Sequence, residues 1–127
     1  MYLCIVNRLQ HFLRAKTQYS LHSPFVYKLY TEVLFSRRPD GAPQGRGYQA
    51  MLWRLEHHYG VKASRLGGNA TLRTRDGDLL VVDRPHREEE RWQQIMENPR
   101  FHVTIDLFSV GIAIRNPRLS RQHFLLR

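Results

Sequence analysis

Residues 101–115 constrain the fold of this chain more than any other stretch. Apolar and polar residues alternate over residues 101–107, with the two-residue period of a half-buried strand. A second apolar run, residues 110–114, follows directly after Ser109. Because a parallel return needs a crossover of a dozen residues or more, the two runs are predicted to pair as an antiparallel hairpin. The other segments are expected to extend and cover this hairpin.

A further strand is predicted at residues 78–83, where four branched apolar residues stand between two aspartates. Such a continuous apolar run is typical of a central strand buried on both faces, as in parallel α/β sheets. Asp83 ends the run at the edge where open α/β sheets bind ligands, and it is equally well placed to cap the next helix. That helix is predicted to open near Pro85, to carry three glutamates in its first turns and to bury Trp92.

Helices are predicted on the N-terminal side of these strands. Residues 3–16 and 24–35 repeat apolar side chains at helical spacing, and Ser23 followed by Pro24 is a favourable helix start. The first helix is amphipathic and basic, so it either packs on the core, which we favour, or lies on a membrane surface. His22, just before the second helix, is either structural or oriented toward a ligand.

The middle of the chain suggests a boundary. Residues 36–47 contain three glycines and two prolines and have no periodicity, which predicts a loop. Helical spacing returns from Tyr48 to Tyr59 and ends at Gly60, a residue type that commonly terminates helices. We therefore divide the chain into an N-terminal helical segment (1–35), a loop (36–47) and an α/β domain (48–127).

Composition limits the class of protein. The apolar share of 42% is that of an ordinary soluble domain, and no apolar run is long enough to span a membrane. Cys4 is the one cysteine, so neither an internal disulfide nor a cysteine metal cluster can form. His57 and His58 are adjacent on a predicted helix and point in different directions, so no metal site is predicted. We expect no signal peptide and a cytoplasmic protein without a membrane partner.

The formal net charge of +9 raises the question of a nucleic-acid partner. Residues 1–60 carry eight basic and three acidic groups, a balance of +5, and residues 61–127 carry twelve and eight, a balance of +4. The excess is spread along the chain, so a solvated basic surface remains the alternative. A nucleic-acid surface would require Arg8, Arg14, Arg37, Arg38, Arg118 and Arg121 to converge.

The two glycines Gly67 and Gly68 follow a short predicted strand. Glycines in that position either let backbone N–H groups approach a phosphate or nucleotide, or form a plain turn. The next residues, 71–75, are predicted to form a short strand that ends at the turn formed by residues 76–78.

Several segments resemble one family. His22-Ser-Pro-Phe-Val26, Thr104-Ile-Asp-Leu-Phe108 and the closing Gln122-His-Phe-Leu-Leu-Arg127 are similar to segments of class I S-adenosylmethionine-dependent methyltransferases, of a group found largely in the Bacteroidetes. Residues 78–97 resemble that group's strand ending in an acid and its Trp-bearing helix. The resemblance implies a reduced, Rossmann-like α/β fold: a mixed sheet with a C-terminal antiparallel hairpin, preceded by N-terminal helices. It also implies S-adenosylmethionine as cofactor.

The resemblance fails in the middle of the chain. The family's first strand ends in an acid and a turn of the form Glu-x-Gly-x-x-x-Gly, whereas here Arg65 replaces the acid and Thr71 stands at the later glycine. Residues 68–78 are too few for even one strand–helix–strand crossover. We expect a methyltransferase-like protein whose cofactor-binding half is largely deleted, and which is impaired or inactive as a catalyst.

The residues assigned to what remains of the cofactor cleft are Gly67 and Gly68, for close backbone approach, and Asp83, for a polar contact. His86 is a candidate base, and no catalytic residue is assigned. Two other readings stay open: a basic module that binds nucleic acid or protein on the same scaffold, and a homodimer that covers sheet edges exposed by the deletion.

Overall fold

The computed structural model describes residues 24–35, 39–67 and 69–126. The predicted helix over residues 3–16, together with His22, Ser23 and Gly68, lies outside these residues. No helix within the described ranges is both long enough and apolar enough to cross a membrane.

Six strands form one mixed sheet in the order β1-β2-β3-β5-β4-β6. Neighbouring strands are antiparallel throughout except for β4 and β6, which run parallel. Helices precede the sheet and connect two of its strands, so the α/β class is confirmed. The strands are β1 (Ser64–Leu66), β2 (Asn69–Thr74), β3 (Gly77–Asp83), β4 (Val103–Asp106), β5 (Val110–Arg115) and β6 (Gln122–Leu125).

The predicted hairpin is confirmed as β4 and β5, with Ile105 opposite Ile112. The backbone N–H of Phe108 donates a 2.8 Å hydrogen bond to the Asp106 carboxylate within the turn, and Leu107 N–H bonds to the Val110 carbonyl at 2.9 Å. The register thus places the large apolar side chains of both strands on one face, and Thr104 and Ala113 on the other.

Strand β3 lies in the interior of the mixed sheet, but it differs from the parallel α/β sheets in which such apolar runs are typical. Its neighbours β2 and β5 are both antiparallel to it. The strand is buried on both faces, as the apolar run indicates: Leu79 and Val81 lie on one face, Val82 lies on the other, and all three are buried. Burial on both faces, rather than parallel pairing, therefore produced the pattern.

The first described helix comprises an α-helical turn, Pro24–Lys28, and a π-helical stretch, Leu29–Leu34, which together we call α1. Helix α2 spans Tyr48–Tyr59 and ends at Gly60 in the left-handed conformation (φ 66°), as predicted. The helix after β3 opens as a 3-10 turn, Pro85–Arg87, and continues as α3, Glu89–Glu97.

Helices α1 and α2 cover one face of the sheet, which we call the inner face. Met51, Leu52 and Leu55 of α2 are fully buried against strand residues of that face. The strand side chains in this core come from five adjacent strands, β2 to β6. The register sets them in rows across the sheet: Leu72, Leu79, Ile114 and Val103, then Ala70, Val81, Ile112, Ile105 and Phe124.

Helix α3 covers part of the opposite face. Gly111 of β5 makes this possible, because a Cβ there would come within 2.8 Å of the Trp92 ring and 3.2 Å of Pro85. The area of this face formed by β1, β2 and β3 has less cover: Leu66, Thr71 and Arg73 are exposed and Leu80 is half-buried. We call this area the open face.

Candidate functional site

The carboxyl end of β3 meets the beginning of α2 at a cleft of about 360 Å³. Asp83 and Arg84 form one wall, Ser109 of the hairpin turn contributes a hydroxyl, and the first residues of α2 form the other wall. Gly47, Tyr48, Gln49 and Ala50 line that second wall, with Pro43 and Gln44 beside them. The cleft is therefore assembled from three distant parts of the sequence, and polar side chains border a largely apolar lining.

Asp83 lies where the sequence places it, at the carboxyl end of an interior strand. Its carboxylate accepts two hydrogen bonds from the Arg84 guanidinium, Nε–Oδ1 at 3.1 Å and Nη2–Oδ2 at 3.3 Å. Neither the 3-10 turn nor α3 has a side-chain cap, so the alternative role of Asp83 as a helix cap is wrong. The carboxylate is instead neutralised by the next residue in the chain.

Two strained residues border this corner of the fold. Arg84 (φ 44°) and Phe108 (φ 69°) have positive φ, and no other non-glycine residue does so within the described ranges. A backbone hydrogen bond of 3.0 Å from Arg84 N–H to the Ser109 carbonyl ties the two loops together. Strained backbone of this kind persists only where the surroundings hold it, and it concentrates at functional sites.

His86 is held behind the cleft by the hairpin turn. Its Nδ1 lies 3.1 Å from the Phe108 carbonyl, and its ring stacks on the Phe108 ring at a centroid distance of 4.0 Å. Because a carbonyl only accepts, Nδ1 must carry the proton, which leaves Nε2 as the acceptor in the neutral ring. Nε2 is buried and has no hydrogen-bond partner. The tautomer suits a base, although Nε2 is withdrawn from solvent.

Tyr48 lines the cleft together with Asp83. Burial raises the pKa of its phenol, and the carboxylates of Asp83 and Glu56 raise that pKa further, while the Arg65 guanidinium lowers it. The phenol therefore stays protonated and can donate a hydrogen bond to a ligand in the cleft.

Gly67 and Asp83 lie at the same end of the sheet. Gly67 follows β1 in the turn to β2, and the register pairs Asn69, the first residue of β2, with Val82. Gly67 has φ 63°, which explains a glycine in this turn. However, Gly67 does not line the cleft, and the turn joins two antiparallel strands rather than a strand and a helix.

Sequence reasoning missed Tyr48, Arg84 and Ser109 as members of the site. Ser109 Oγ donates a 2.8 Å hydrogen bond to the Arg46 carbonyl, which is 63 residues away in the sequence. A local sequence pattern therefore could not have predicted that Ser109 belongs to the site. Tyr48 had one signal, its position at the start of a predicted helix. No group of three His, Cys, Asp or Glu side chains within the described ranges is arranged to hold a metal ion.

Comparison with known proteins adds no relative: no family model, no curated protein and no solved structure matches this chain.

Proposed function

We propose that this protein is a shortened class I methyltransferase-like domain that lacks most of the cofactor-binding half and does not transfer methyl groups by itself. One observation carries the proposal. Strand β3, helix α3 and the β4–β5 hairpin follow one another in the order in which class I methyltransferases end. Within this unit β3 and β4 run in the same direction, since both are antiparallel to β5, which lies between them.

The residues near the candidate cleft do not fit S-adenosylmethionine. The Asp83 carboxylate is engaged by Arg84, so a ribose hydroxyl would have to displace a charge-assisted pair. Gly67 belongs to a strand-to-strand turn, where no helix N-terminus follows to receive a charged group. Strands β1 and β2 occupy the side of β3 on which further parallel strands would enclose the adenosine.

Methyl transfer from a sulfonium needs the nucleophile in line with the methyl group, and positioning supplies most of the acceleration. A cleft that does not hold the donor cannot supply this positioning. Tyr48 can still donate a hydrogen bond and His86 can still accept one. Neither residue then has a donor and an acceptor of the methyl group aligned next to it.

Isothermal titration with S-adenosylmethionine tests the proposal. We expect no saturable binding up to about 1 mM ligand, a limit that corresponds to about −4 kcal/mol. A cooperative thermal melt of the same sample is the control that the protein is folded. Micromolar binding that Asp83→Ala abolishes would contradict the proposal.

A second proposal concerns assembly: the chain forms a homodimer through an exposed sheet edge. The outer edge of β1 is not paired with any described strand, and all three β1 residues are exposed. Leu66 is 86% exposed, the largest value among the large apolar side chains described. A sheet edge with unpaired backbone groups and one exposed leucine favours association with another strand.

A further inference from the structure

A row of charged side chains crosses the open face. Arg73 of β2 is opposite Asp78 of β3, and Asp78 is opposite Arg115 of β5. Residues paired in this way project on the same side of a sheet, and adjacent strands are about 4.8 Å apart. Two guanidinium groups therefore flank one carboxylate on a solvent-facing surface.

A groove of about 210 Å³ adjoins this row. Thr71, Asp78, Leu80 and Arg115 contribute from the sheet, and Arg100 and Phe101 contribute from the segment that follows α3. The groove thus combines a third guanidinium group, one aromatic ring and one half-buried aliphatic side chain. Its volume is below the roughly 300–1,000 Å³ of sites for drug-sized ligands, so it suits one planar ring or one nucleotide.

The charges of the surface remain accessible to a partner. The Arg115–Asp78 ion pair is 3.6 Å long, and both side chains are about half exposed (51% and 42%), so the pair itself contributes little stability. Arg73 and Arg100 have no carboxylate partner among the described residues. Three guanidinium groups against one carboxylate give this surface a local excess of positive charge, on a chain of net charge +9.

This combination favours nucleic acid over an acidic protein. Guanidinium groups bind phosphate oxygens through two parallel hydrogen bonds, and an aromatic ring accepts a stacked base, for which an acidic peptide has no counterpart. A base can reach a shallow groove in a sheet only when it is unstacked from its neighbours, which excludes a paired duplex.

We propose that the open face binds single-stranded nucleic acid, with Arg73, Arg100 and Arg115 contacting phosphates and Phe101 stacking on one base. This proposal does not depend on whether the chain binds S-adenosylmethionine, because none of these residues lines the cleft beside Asp83.

Fluorescence anisotropy with a labelled 12-nucleotide single strand of mixed sequence tests the phosphate contacts between 50 and 200 mM salt. Three contacts at about 0.7 each predict a slope of log K against log salt of about −2. Arg73→Gln and Arg100→Gln should each make the slope shallower by about 0.7. Arg87→Gln removes the same charge beyond the opposite end of β3 and should leave the slope unchanged. Equal effects of all three substitutions would overturn the proposal.

The stacking contact needs its own comparison. Phe101→Leu keeps an apolar side chain, so it should weaken binding of the ordinary strand about five-fold or more and leave binding of an abasic strand unchanged. Equal losses on both strands would refute stacking. Since Phe101 is half-buried, a thermal melt checks that the Phe101→Leu variant is folded. If it is not, the variants of the exposed residues Arg73 and Arg100 still test whether this surface binds the strand. Displacement of the strand by polyglutamate of equal charge and concentration would overturn the proposal in favour of an acidic protein partner.

Discussion

At the scale of single residues, the chain buries a phenol beside a carboxylate at the turn between β2 and β3. Tyr59 Oη donates a 2.8 Å hydrogen bond to Asp76, and the Arg75 guanidinium lies 5.1 Å from the centroid of the Tyr59 ring. Burial raises the pKa of Tyr59, as do the hydrogen bond to Asp76 and the charge of Asp76, while Arg75 opposes the shift. The neutral phenol is therefore the form that the folded state prefers.

A raised pKa makes stability depend on pH in one direction. The unfolded phenol titrates near pH 10, so its contribution to stability is fully present below pH 10 and is lost as pH rises toward the folded value. Tyr59→Phe should lower the free energy of unfolding by about 1 kcal/mol at pH 7, and this difference should shrink above pH 10. Urea denaturation at pH 7, 9 and 10.5 measures it.

The control for this prediction is Tyr27→Phe, which removes a hydroxyl from an exposed side chain and should change stability little at any of these pH values. Parallel stability curves for the native protein and the Tyr59→Phe variant across the whole range would show that the hydrogen bond to Asp76 does not set the alkaline limit.

At the scale of secondary-structure elements, the packing of α3 on β5 depends on the absence of one side chain. A Cβ at Gly111 would lie 2.8 Å from two atoms of the Trp92 ring, and Trp92 is only 5% exposed. We expect Gly111→Ala to cost about 1–3 kcal/mol, because the ring and α3 must shift together. Thermal denaturation of the two proteins gives the difference.

Gly47→Ala is the matched control. A Cβ at Gly47 meets no atom within 4 Å and its φ of −78° is open to any residue, so the cost should be limited to the poorer helix capping by alanine, about 0.5 kcal/mol. If the Gly111→Ala and Gly47→Ala variants have the same melting temperature, the close approach of α3 to the sheet does not limit stability.

The sequence predicts these elements well where their cause is local. Helix α2 ends at Gly60 because the αL conformation suits glycine, and the β4–β5 hairpin follows from alternation across a short turn. The direction of the neighbours of β3 could not be predicted, because a continuous apolar run reports burial of both faces and carries no information on strand direction. Asp83 was placed correctly for the same local reason, since it ends an apolar run.

At the scale of the whole molecule, the sheet depends on contacts that no local pattern encodes. Strand β6 pairs in parallel with β4, with Ile105 opposite Phe124, and its approach is helped by a 3.0 Å hydrogen bond from Arg121 Nη2 to the Met96 carbonyl. The arginines expected to converge cannot all be compared, because Arg8, Arg14, Arg37 and Arg38 lie outside the described residues. The basic surface that the structure offers instead comes from strand register.

The proposed homodimer leads to a prediction about salt. Two copies of a chain with net charge +9 repel each other, so association through the β1 edge should strengthen as salt screens the charge. Light scattering after size-exclusion chromatography at 50 and 500 mM salt should show the dimer fraction increasing. Binding of nucleic acid has the opposite salt dependence, which separates the two proposals.

The edge responsible is identified by placing one lysine on each outer strand. Leu66→Lys adds a charge to the exposed β1 edge, where natural sheets use lysine to prevent pairing, and should give a monomer at every concentration. Gln122→Lys adds the same charge to an exposed position of β6, at the other edge, and should leave the dimer intact. A native protein that stays monomeric at high concentration and high salt would contradict the dimer. If Gln122→Lys alone disrupted the dimer, the interface would lie at β6, because only the edge that pairs is sensitive to an added charge.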